Sequence, residues 1–319
     1  MRAVVTGGAG FIGSAVVDAL CGSGFQVLIV DDLSHGSLSN IENARRAGAQ
    51  LAELDIRDGP ALTEELRRFG PDWVFHLAAQ VNVRLSMVET ALDASVNVLG
   101  SLNVFAAAAA AGARRVVSTS TGGAIYGETD ILPTPETVDA VPVSAYGLSK
   151  FSAERYAAWY RRARNLDIVT LRYGNVYGPR QDPYGDAGVI AAFCDAALNG
   201  RSPIVYGDGM QTRDFVFVSD VVAANIAAAR APSLKHDTYN VGTGREVSVT
   251  ELVNAVAVAA GLSSAEFRPH YRPARAGELR RSCLDVRRAR QDLDVAASVE
   301  LTTGLRHTVE WLRGLVRAA

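Results

Sequence analysis

The first half of the chain alternates short apolar runs with longer helix-like stretches. Apolar runs at residues 3–5, 27–30, 73–77 and 115–119 indicate strands, with a weaker one at 51–54. The stretches 11–21, 60–69 and 92–111 have the length and pattern of helices. Continuous apolar strands are typical of a parallel sheet that is buried on both faces. The pattern therefore predicts an α/β fold built on a doubly wound parallel sheet.

The rhythm changes after about residue 174. Residues 174–188 are rich in Gly, Pro, Asp and Tyr, which indicates a long loop of the kind that is usually functional. The remainder predicts helices at 189–199, 219–230, 249–260 and 301–317, strands at 203–206 and 214–218, and a loop at 268–282. We expect a Rossmann-type dinucleotide-binding domain, residues 1–175 and 212–242. A smaller C-terminal α/β substrate-binding lobe, residues 176–211 and 243–319, would complete the chain.

Composition narrows the class of protein. The chain has 319 residues and a formal net charge of −2, which gives no reason to expect a nucleic-acid or anionic-membrane partner. Cys21, Cys194 and Cys283 are widely spaced, so neither a disulfide framework nor a metal site is expected. No apolar run approaches the roughly 18 residues of a membrane span. We therefore expect a soluble, cytoplasmic protein. Lys150 and Lys235 are the two lysines among 32 basic residues.

A glycine-rich segment, TGGAGFIG at residues 6–13, follows the first predicted strand and opens the first predicted helix. In dinucleotide sites the first glycine permits a tight turn, the second lets backbone approach a pyrophosphate, and the third permits close helix packing. Gly7, Gly10 and Gly13 occupy these places with the spacing GxxGxxG. The N-terminus of the helix would face the negative charge of the pyrophosphate. The segment therefore predicts a dinucleotide site.

An acidic residue at the end of the second predicted strand indicates which dinucleotide is bound. Asp31 lies 18 residues beyond Gly13, near the interval of about 20 residues for the acid that accepts the ribose 2′-hydroxyl. A carboxylate there repels the 2′-phosphate of NADP, and residues 31–44 contain no arginine to bind one. We therefore expect NAD. Asp55 and Ile56, after the third strand, are candidates to frame the adenine.

A tyrosine and a lysine form a candidate reactive pair. Residues 146–150 read YGLSK, so Tyr146 and Lys150 are about one helical turn apart and share a face. A phenol with a pKa of about 10 is a poor base, and an adjacent ammonium lowers that pKa. The hydroxyls of residues 119–121 follow a strand at the edge where such sheets bind ligands. One of them could bind a substrate hydroxyl beside Tyr146, and the pattern leaves open which.

These motifs together resemble the extended short-chain dehydrogenase/reductase family, and within it the nucleotide-sugar 4-epimerases of the UDP-glucose type. The resemblance covers nearly the whole chain. Its further motifs are HLAAQ at 76–80, STGGAIYGE at 120–128, GNVYGPRQDPYGDAG at 174–188, GDGMQTRDFVFVSD at 207–220, NVGTG at 240–244 and RAGELRRSCLD at 275–285.

The resemblance implies a role for individual residues. The implied NAD contacts are Gly7, Gly10, Phe11, Ile12, Gly13, Asp31, Asp32, Asp55, Ile56, Leu77, Ala78, Ala79, Asn97, Tyr146, Lys150 and Tyr173. The implied substrate contacts are Thr121, Tyr146, Asn175, Val189, Tyr206, Arg213, Arg275 and Glu278. Thr121, Tyr146 and Lys150 would be catalytic, with Ser120 as the alternative to Thr121. Arg213 and Arg275 would bind the diphosphate, because guanidinium groups match phosphate geometry.

The implied activity is epimerisation of a UDP-hexose at C4, interconverting UDP-glucose and UDP-galactose. Tyr146 would take the proton from O4 while C4 gives hydride to NAD. The resulting 4-keto sugar would rotate in the site and take the hydride back on its other face. The resemblance also implies a homodimer formed by helices 92–111 and 144–164.

Related chemistries remain open at this point. Enzymes that epimerise UDP-glucuronate resemble this chain but carry an arginine where Asp182 stands. Ser282 falls near a position where a bulky residue narrows the sugar pocket, so an N-acetylhexosamine is a further candidate. A sugar 4,6-dehydratase is disfavoured because Gly122, Gly123 and Ala124 stand where such enzymes have an acidic pair. A non-catalytic dinucleotide sensor would often lack the Tyr/Lys pair.

Overall fold

The structure is a computed structural model that describes residues 1–183, 188–275 and 277–318. Its strands are β1 (Arg2–Thr6), β2 (Gln26–Asp31), β3 (Gln50–Glu53), β4 (Trp73–His76), β5 (Arg115–Thr121), β6 (Ile168–Tyr173), β7 (Asn175–Tyr177), β8 (Ile204–Tyr206), β9 (Thr212–Arg213), β10 (Phe215–Phe217), β11 (Thr238–Val241), β12 (Val247–Ser248) and β13 (His270–Arg272). Its helices are α1 (Phe11–Gly22), α2 (Glu42–Arg46), α3 (Gly59–Phe69), α4 (Val83–Val88), α5 (Thr90–Ala94), α6 (Ser101–Ala110), α7 (Gly122–Ile125), α8 (Ala145–Ala163), α9 (Val189–Leu198), α10 (Val218–Arg230), α11 (Val249–Ala260), α12 (Arg287–Leu293) and α13 (Leu301–Ala318).

A seven-stranded parallel sheet forms the centre of the molecule, with the order β11-β6-β5-β4-β1-β2-β3. Strand order reverses direction between β1 and β4, where Thr6 is paired with His76. Open α/β sheets bind ligands at the carboxyl ends of their strands beside such a switch point. The glycine loop after β1 and residues 77–79 after β4 meet there. The predicted Rossmann-type α/β fold is confirmed.

Apolar side chains cover the sheet on both faces. Helices α1 and α10 pack on one face around Phe75 and Leu171, and α3, α6 and α8 pack on the other around Val74 and Val116. A third core lies among α9, α11 and α13 and includes Phe267. Burial on both faces explains why the strands are continuously apolar. The predicted residue boundaries of the two domains stay a prediction.

The predicted loop 174–188 begins with a strand. Residues 175–177 form β7, which runs parallel to β10, and the Asn175 N–H donates to the Asp214 carbonyl at 2.7 Å. The predicted strand 214–218 corresponds to β10, the short β9 precedes it, and the predicted loop 268–282 contains β13. These strands have three residues or fewer, which is too short for a clear periodic signal. Residues 184–187 and 276 of the predicted loops lie outside the described residues.

The predicted helix 92–111 is continuous but contains a π-helical segment, Ser95–Gly100, between α5 and α6. Such segments often occur at functional sites. The stretch Thr90–Ala110 is long and apolar enough to cross a membrane by length and composition alone. Part of it is buried against α3 and α8, as in the core helix of a globular protein. The expected absence of a membrane partner stays a prediction.

Candidate active site

The glycine loop connects β1 to α1 with very little free space. Gly7 has a φ of +68°, and a Cβ there would lie 2.6 Å from the backbone nitrogen of Ala78. A Cβ on Gly13 would lie 2.0 Å from the Gly7 carbonyl oxygen. Gly10 precedes the first turn of α1, and no side chain caps that helix. The loop is therefore a cradle of backbone in which N–H groups at a helix N-terminus are available to an anion.

Asp31 ends β2 beside this cradle. Its Oδ2 accepts a hydrogen bond from the Ala9 N–H at 2.8 Å, and its Oδ1 accepts one from the Leu33 N–H at 2.9 Å. Burial raises the pKa of Asp31, while these two backbone donors favour the ionised form. Each carboxylate oxygen keeps acceptor capacity for a ribose hydroxyl. Asp32 is bonded to Ser34 instead.

The residues after β3 are partly engaged within the protein. The Asp55 carboxylate is bound by the Arg57 side chain at 2.8 Å, and this bond lowers the pKa of Asp55. Ile56 is buried and lies against Gly100, where a Cβ would come within 2.6 Å of its side chain. The roles of Asp55 and Ile56 at the adenine stay predictions.

Asn97, a predicted NAD contact, is bonded within the protein. It is 1% exposed, its Oδ1 accepts from the Gln80 N–H at 2.9 Å, and its Nδ2 donates to the Gln80 carbonyl at 2.9 Å. The same Nδ2 lies 3.0 Å from Asp93 and 3.2 Å from Ser149. The amide thus braces the loop that carries Leu77–Ala79, and the contact of Asn97 with NAD stays a prediction.

The reactive pair lies on the first turns of α8, which Ser144 caps through a bond from the Gly147 N–H at 3.1 Å. The main chain of Tyr146 is held at both ends. Its N–H donates to Ser86 Oγ at 3.0 Å, and its carbonyl accepts from Ser149 Oγ at 2.9 Å. Lys150 is 4% exposed. The helix therefore presents one phenol and one buried ammonium from a fixed turn.

The electrostatics of this pair correct the expectation that Lys150 lowers the pKa of Tyr146. Burial raises the pKa of Tyr146 to about 12, and repulsion from Asp93 adds to the rise. Burial lowers the pKa of Lys150 to about 8, against the attraction of Glu154 and Asp93. Desolvation penalises each charged form more than the neighbouring charges favour it. Burial therefore disfavours both the phenolate of Tyr146 and the ammonium of Lys150.

The three residues with hydroxyl side chains at the end of β5, residues 119–121, have different surroundings. Thr119 donates to the His76 carbonyl at 3.0 Å and is part of the sheet. Ser120 Oγ is buried with no hydrogen-bond partner in the part of the chain that the structure describes. Thr121 is partly exposed at the edge of a cleft. A Cβ placed on Gly123 would lie 3.9 Å from Thr121 Oγ1 and 3.5 Å from Asn175 Oδ1. Thr121 and Asn175 therefore converge on one place.

A cleft of about 1080 Å³ leads away from that place. Gly123 and Asn175 line one part of it, and the lining includes the predicted substrate residues Val189, Tyr206, Arg213, Arg275 and Glu278. The buried Oδ1 of Asn175 has no hydrogen-bond partner among residues 1–183, 188–275 and 277–318. An orphaned buried acceptor beside a cleft is a group that a ligand can satisfy.

The cationic part of the cleft is already paired. Arg213 lies 3.3 Å from Glu278, and burial lowers the pKa of Arg213. The Arg275 guanidinium lies 3.6 Å from the centre of the Tyr206 ring and lowers the pKa of that phenol. Two arginines, an acid and an aromatic ring provide the chemistry for a diphosphate, a ribose and a base.

The supporting contacts of three residues have no signal in the sequence, although His76 itself opens the HLAAQ motif. Ser86 holds the main chain of Tyr146, and Asn225 donates to the Tyr173 hydroxyl at 2.7 Å. His76 lies between Thr6 Oγ1 at 2.8 Å and Ser101 Oγ at 2.9 Å. All three act across long stretches of chain, so spacing along the sequence could not reveal them.

Comparison with known proteins identifies the family. The NAD dependent epimerase/dehydratase family matches residues 3–242. This chain belongs to that family. A UDP-glucose 4-epimerase of Mycolicibacterium smegmatis is 45% identical over 314 residues, which are 98% of this chain and 99% of the relative. NAD is the cofactor of the family, and the glycine cradle and Asp31 fit it: the first for the pyrophosphate, the second for the adenosine ribose.

Solved structures of other members have the same fold. A UDP-glucose 4-epimerase of Thermotoga maritima, solved with UDP-glucose, is 41% identical with a TM-score of 0.94 and matches 99% of this chain and 100% of its own. The UDP-glucose 4-epimerase of Thermus thermophilus, solved with NAD, is 40% identical with a TM-score of 0.91, over 98% and 99% of the two chains. These two epimerases therefore share the fold of this protein over nearly its whole length.

Proposed function

We propose that this protein is an NAD-dependent UDP-hexose 4-epimerase that interconverts UDP-glucose and UDP-galactose. The observation that carries the proposal is a cleft that is lined by two sets of residues with different chemistry. Asn175, Gly123 and Ser144 line one part of it. Ser144 caps the helix that carries Tyr146 and Lys150, and Gly123 follows Thr121 by two residues. Arg213, Arg275 and Glu278 also line the cleft. A nucleotide diphosphate sugar has groups that suit both sets, a sugar hydroxyl for the first and a diphosphate and a ribose for the second.

The chain's own residues perform the proton chemistry at O4. The Tyr146 oxygen takes the O4 proton when C4 is oxidised and returns it when C4 is reduced. Thr121 binds the same hydroxyl and keeps it directed at Tyr146, and Asn175 binds on the diphosphate-sugar side. Lys150 supplies a positive charge close to Tyr146 and to the nicotinamide ribose. When bound, NAD supplies hydride acceptance and return.

A 4-keto sugar that presents its other face receives the hydride from the opposite side, and C4 is inverted. Reorientation needs room around the sugar. Gly123 and Ala124, which line the cleft after Thr121, provide it, since they carry little or no side chain. Gly122, Gly123 and Ala124 supply no acid or base to eliminate a C6 hydroxyl, which argues against a 4,6-dehydratase. Asp182 stands in the loop that follows β7, where the resemblance implies an arginine in enzymes that epimerise UDP-glucuronate.

Tyr146→Phe tests the assignment of the base. We expect epimerisation to fall by roughly 10²–10⁴-fold while NAD content and UDP affinity are kept, because only the proton carrier is lost. Tyr156→Phe is the matched control, since Tyr156 is an exposed phenol on the same helix. Near wild-type activity of Tyr146→Phe would reject the mechanism.

The sugar is identified by separate incubation with UDP-glucose, UDP-glucuronate and UDP-N-acetylglucosamine, without added NAD, followed by product analysis. We expect turnover of UDP-glucose. Turnover of UDP-glucuronate alone would replace the proposal with a uronate epimerase. Ser282 is a small side chain in the segment after β13, so turnover of the N-acetylated sugar would extend the range of substrates. Turnover without added NAD would show that the cofactor is retained.

We also propose that the protein is a cytoplasmic homodimer. Large apolar side chains are exposed on the stretch Thr90–Ala110 and on α8, including Leu99 at 58%, Leu148 at 56% and Trp159 at 43%. An exposed apolar surface of this kind is typical of an interface. Leu148→Arg should convert the dimer to a monomer in sedimentation velocity. A monomeric wild type would contradict the proposal. The free cysteines suit a reducing compartment, which fractionation of the source cells would test.

A further inference from the structure

A buried carboxylate lies behind the reactive pair. Asp93, in α5, is 1% exposed. Its Oδ1 accepts hydrogen bonds from Gln80 Nε2 at 2.8 Å and from Asn97 Nδ2 at 3.0 Å. A buried charge is costly unless it is well bonded, so its place in the protein calls for an explanation. Nothing in the sequence pattern singled it out.

The bonds of Asp93 lead directly to the turn that carries Tyr146. Asn97 Nδ2 lies 3.2 Å from Ser149 Oγ, and that hydroxyl donates to the Tyr146 carbonyl at 2.9 Å. Gln80 follows the predicted cofactor residues 77–79 in the loop after β4. Asp93 therefore joins the cofactor loop, the π-helical segment and the first turns of α8 through one oxygen atom.

The charged groups around the pair differ in how far they are neutralised. Glu154 is the acid on the same helix as Lys150, and the Arg172 guanidinium binds its carboxylate at 3.0 and 3.2 Å. His76 on β4 is neutral, since burial lowers its pKa to about 3. Arg84 on α4 lies at the surface of the cleft. The bonds of Asp93, by contrast, come from two neutral amides, and no cation bonds to it within residues 1–183, 188–275 and 277–318.

We propose that Asp93 is a positioning residue of the reactive pair, which fixes the Tyr146 turn through Asn97 and Ser149 and directs an unneutralised negative charge at Tyr146 and Lys150. The inference rests on the proposed function, because it concerns the base of that reaction. Asp93 opposes ionisation of Tyr146 and favours the protonated form of Lys150. It therefore raises the pH at which each of the two groups loses its proton.

The two-lysine composition allows a direct test on the protein without substrate. With lysine labelled at Cε by carbon-13, Lys150 and Lys235 give one resonance each. Lys235 is an exposed residue paired with Asp292 and serves as the internal reference. We expect Asp93→Asn, which keeps the shape and the acceptor oxygen, to lower the pKa of Lys150 by roughly one unit. The Lys235 titration should not move.

The pH profile of kcat/KM provides the second readout. Removing the Asp93 charge eases ionisation of Tyr146 and loss of the Lys150 proton alike. Both limbs of the profile should therefore move to lower pH by roughly one unit. A variant with a damaged fold would have a lower kcat/KM, but the two limbs of its pH profile would not move together to lower pH. Asp93→Glu, which restores the charge, should return the Lys150 titration toward that of the wild type.

Gln80→Ala is the matched control for packing, because it removes a donor to Asp93 and leaves the charge. Its Lys150 resonance should titrate as in the wild type, whatever the loss in rate. Asp93→Ser and Asp93→Thr remove the charge with smaller side chains, so the titration can be read in whichever variant folds. An unchanged pKa of Lys150 in the uncharged variants would overturn the inference. The titration needs no sugar, so it is independent of a failed epimerase assay.

Discussion

The cofactor side and the nucleotide side of this site are built in different ways. On the cofactor side the polar groups are bonded to the protein's own main chain, as Asp31 is to Ala9, and the glycines leave no spare volume. On the nucleotide side Arg213, Arg275 and Glu278 line an open cleft. The first design tolerates no added atom, whereas the second can adjust. A rigid cradle suits a group that stays bound, and an adaptable cleft suits one that is exchanged at every turnover.

The largest effect should come from one methyl group on the rigid side. In Gly13→Ala the new Cβ would lie 2.0 Å from the Gly7 carbonyl oxygen, so the loop must move. We expect the purified variant to lose most of its NAD while UDP binding persists. NAD released on denaturation and calorimetric titration with UDP measure the two. Gly22→Ala in the same helix is the control, because a Cβ there meets nothing within 4 Å. Equal NAD occupancy in both variants would remove the contrast between the two sides.

A charge removed from the adaptable side should have a smaller and different effect. Arg213→Ala is expected to raise KM for the UDP-sugar roughly 10–100-fold, with little change in NAD content, because a phosphate loses its guanidinium and Glu278 loses its cation. Steady-state kinetics and released NAD measure both. Arg245→Ala is the control, since Arg245 is an exposed arginine paired with an exposed acid. An unchanged KM in Arg213→Ala would exclude this arginine from substrate binding.

The smallest expected effect is on the free energy of unfolding, and it comes from His76, a buried residue on the cofactor side. Burial lowers the pKa of His76 from 6.5 to about 3, so the unfolded chain takes up a proton below pH 6.5 that the folded protein refuses. Stability is therefore lost as pH falls, by ~2 kcal/mol between pH 7 and pH 5 from this group. Urea unfolding of His76→Gln should lack that loss. His307→Gln, at an exposed histidine, should retain it. Equal pH dependence in both variants would contradict the assignment.

Sequence was most informative where function depends on neighbours in the chain. The glycine loop, Asp31 and the Tyr146–Lys150 turn could be predicted because each is a short sequence pattern that has one physical explanation. The bonds between the Asn97 amide and the main chain of Gln80 could not be predicted, because the two residues lie 17 positions apart in the chain. The bond from Tyr146 to Ser86 joins residues 60 positions apart.

The short strands and the pKa of Tyr146 show two further limits. β7 could not be predicted because it pairs with β10, which lies 40 residues later in the chain. A strand of three residues is also too short to show an alternation of apolar and polar positions. The sign of the Tyr146 shift depends on how deeply the phenol is buried, a property of the whole fold. The sequence thus predicts the groups that react, and the structure was needed to find the groups that hold them in place.

The pairing of Arg213 with Glu278 and of Arg275 with Tyr206 has a consequence for catalytic throughput. A ligand that takes over these arginines must replace contacts that the protein already makes, so its affinity is the difference between two sets of interactions. Weak net retention is an advantage to an isomerase, whose product differs from its substrate at one carbon and leaves through the same opening. These internal contacts would act as competitors that clear the cleft for the next molecule.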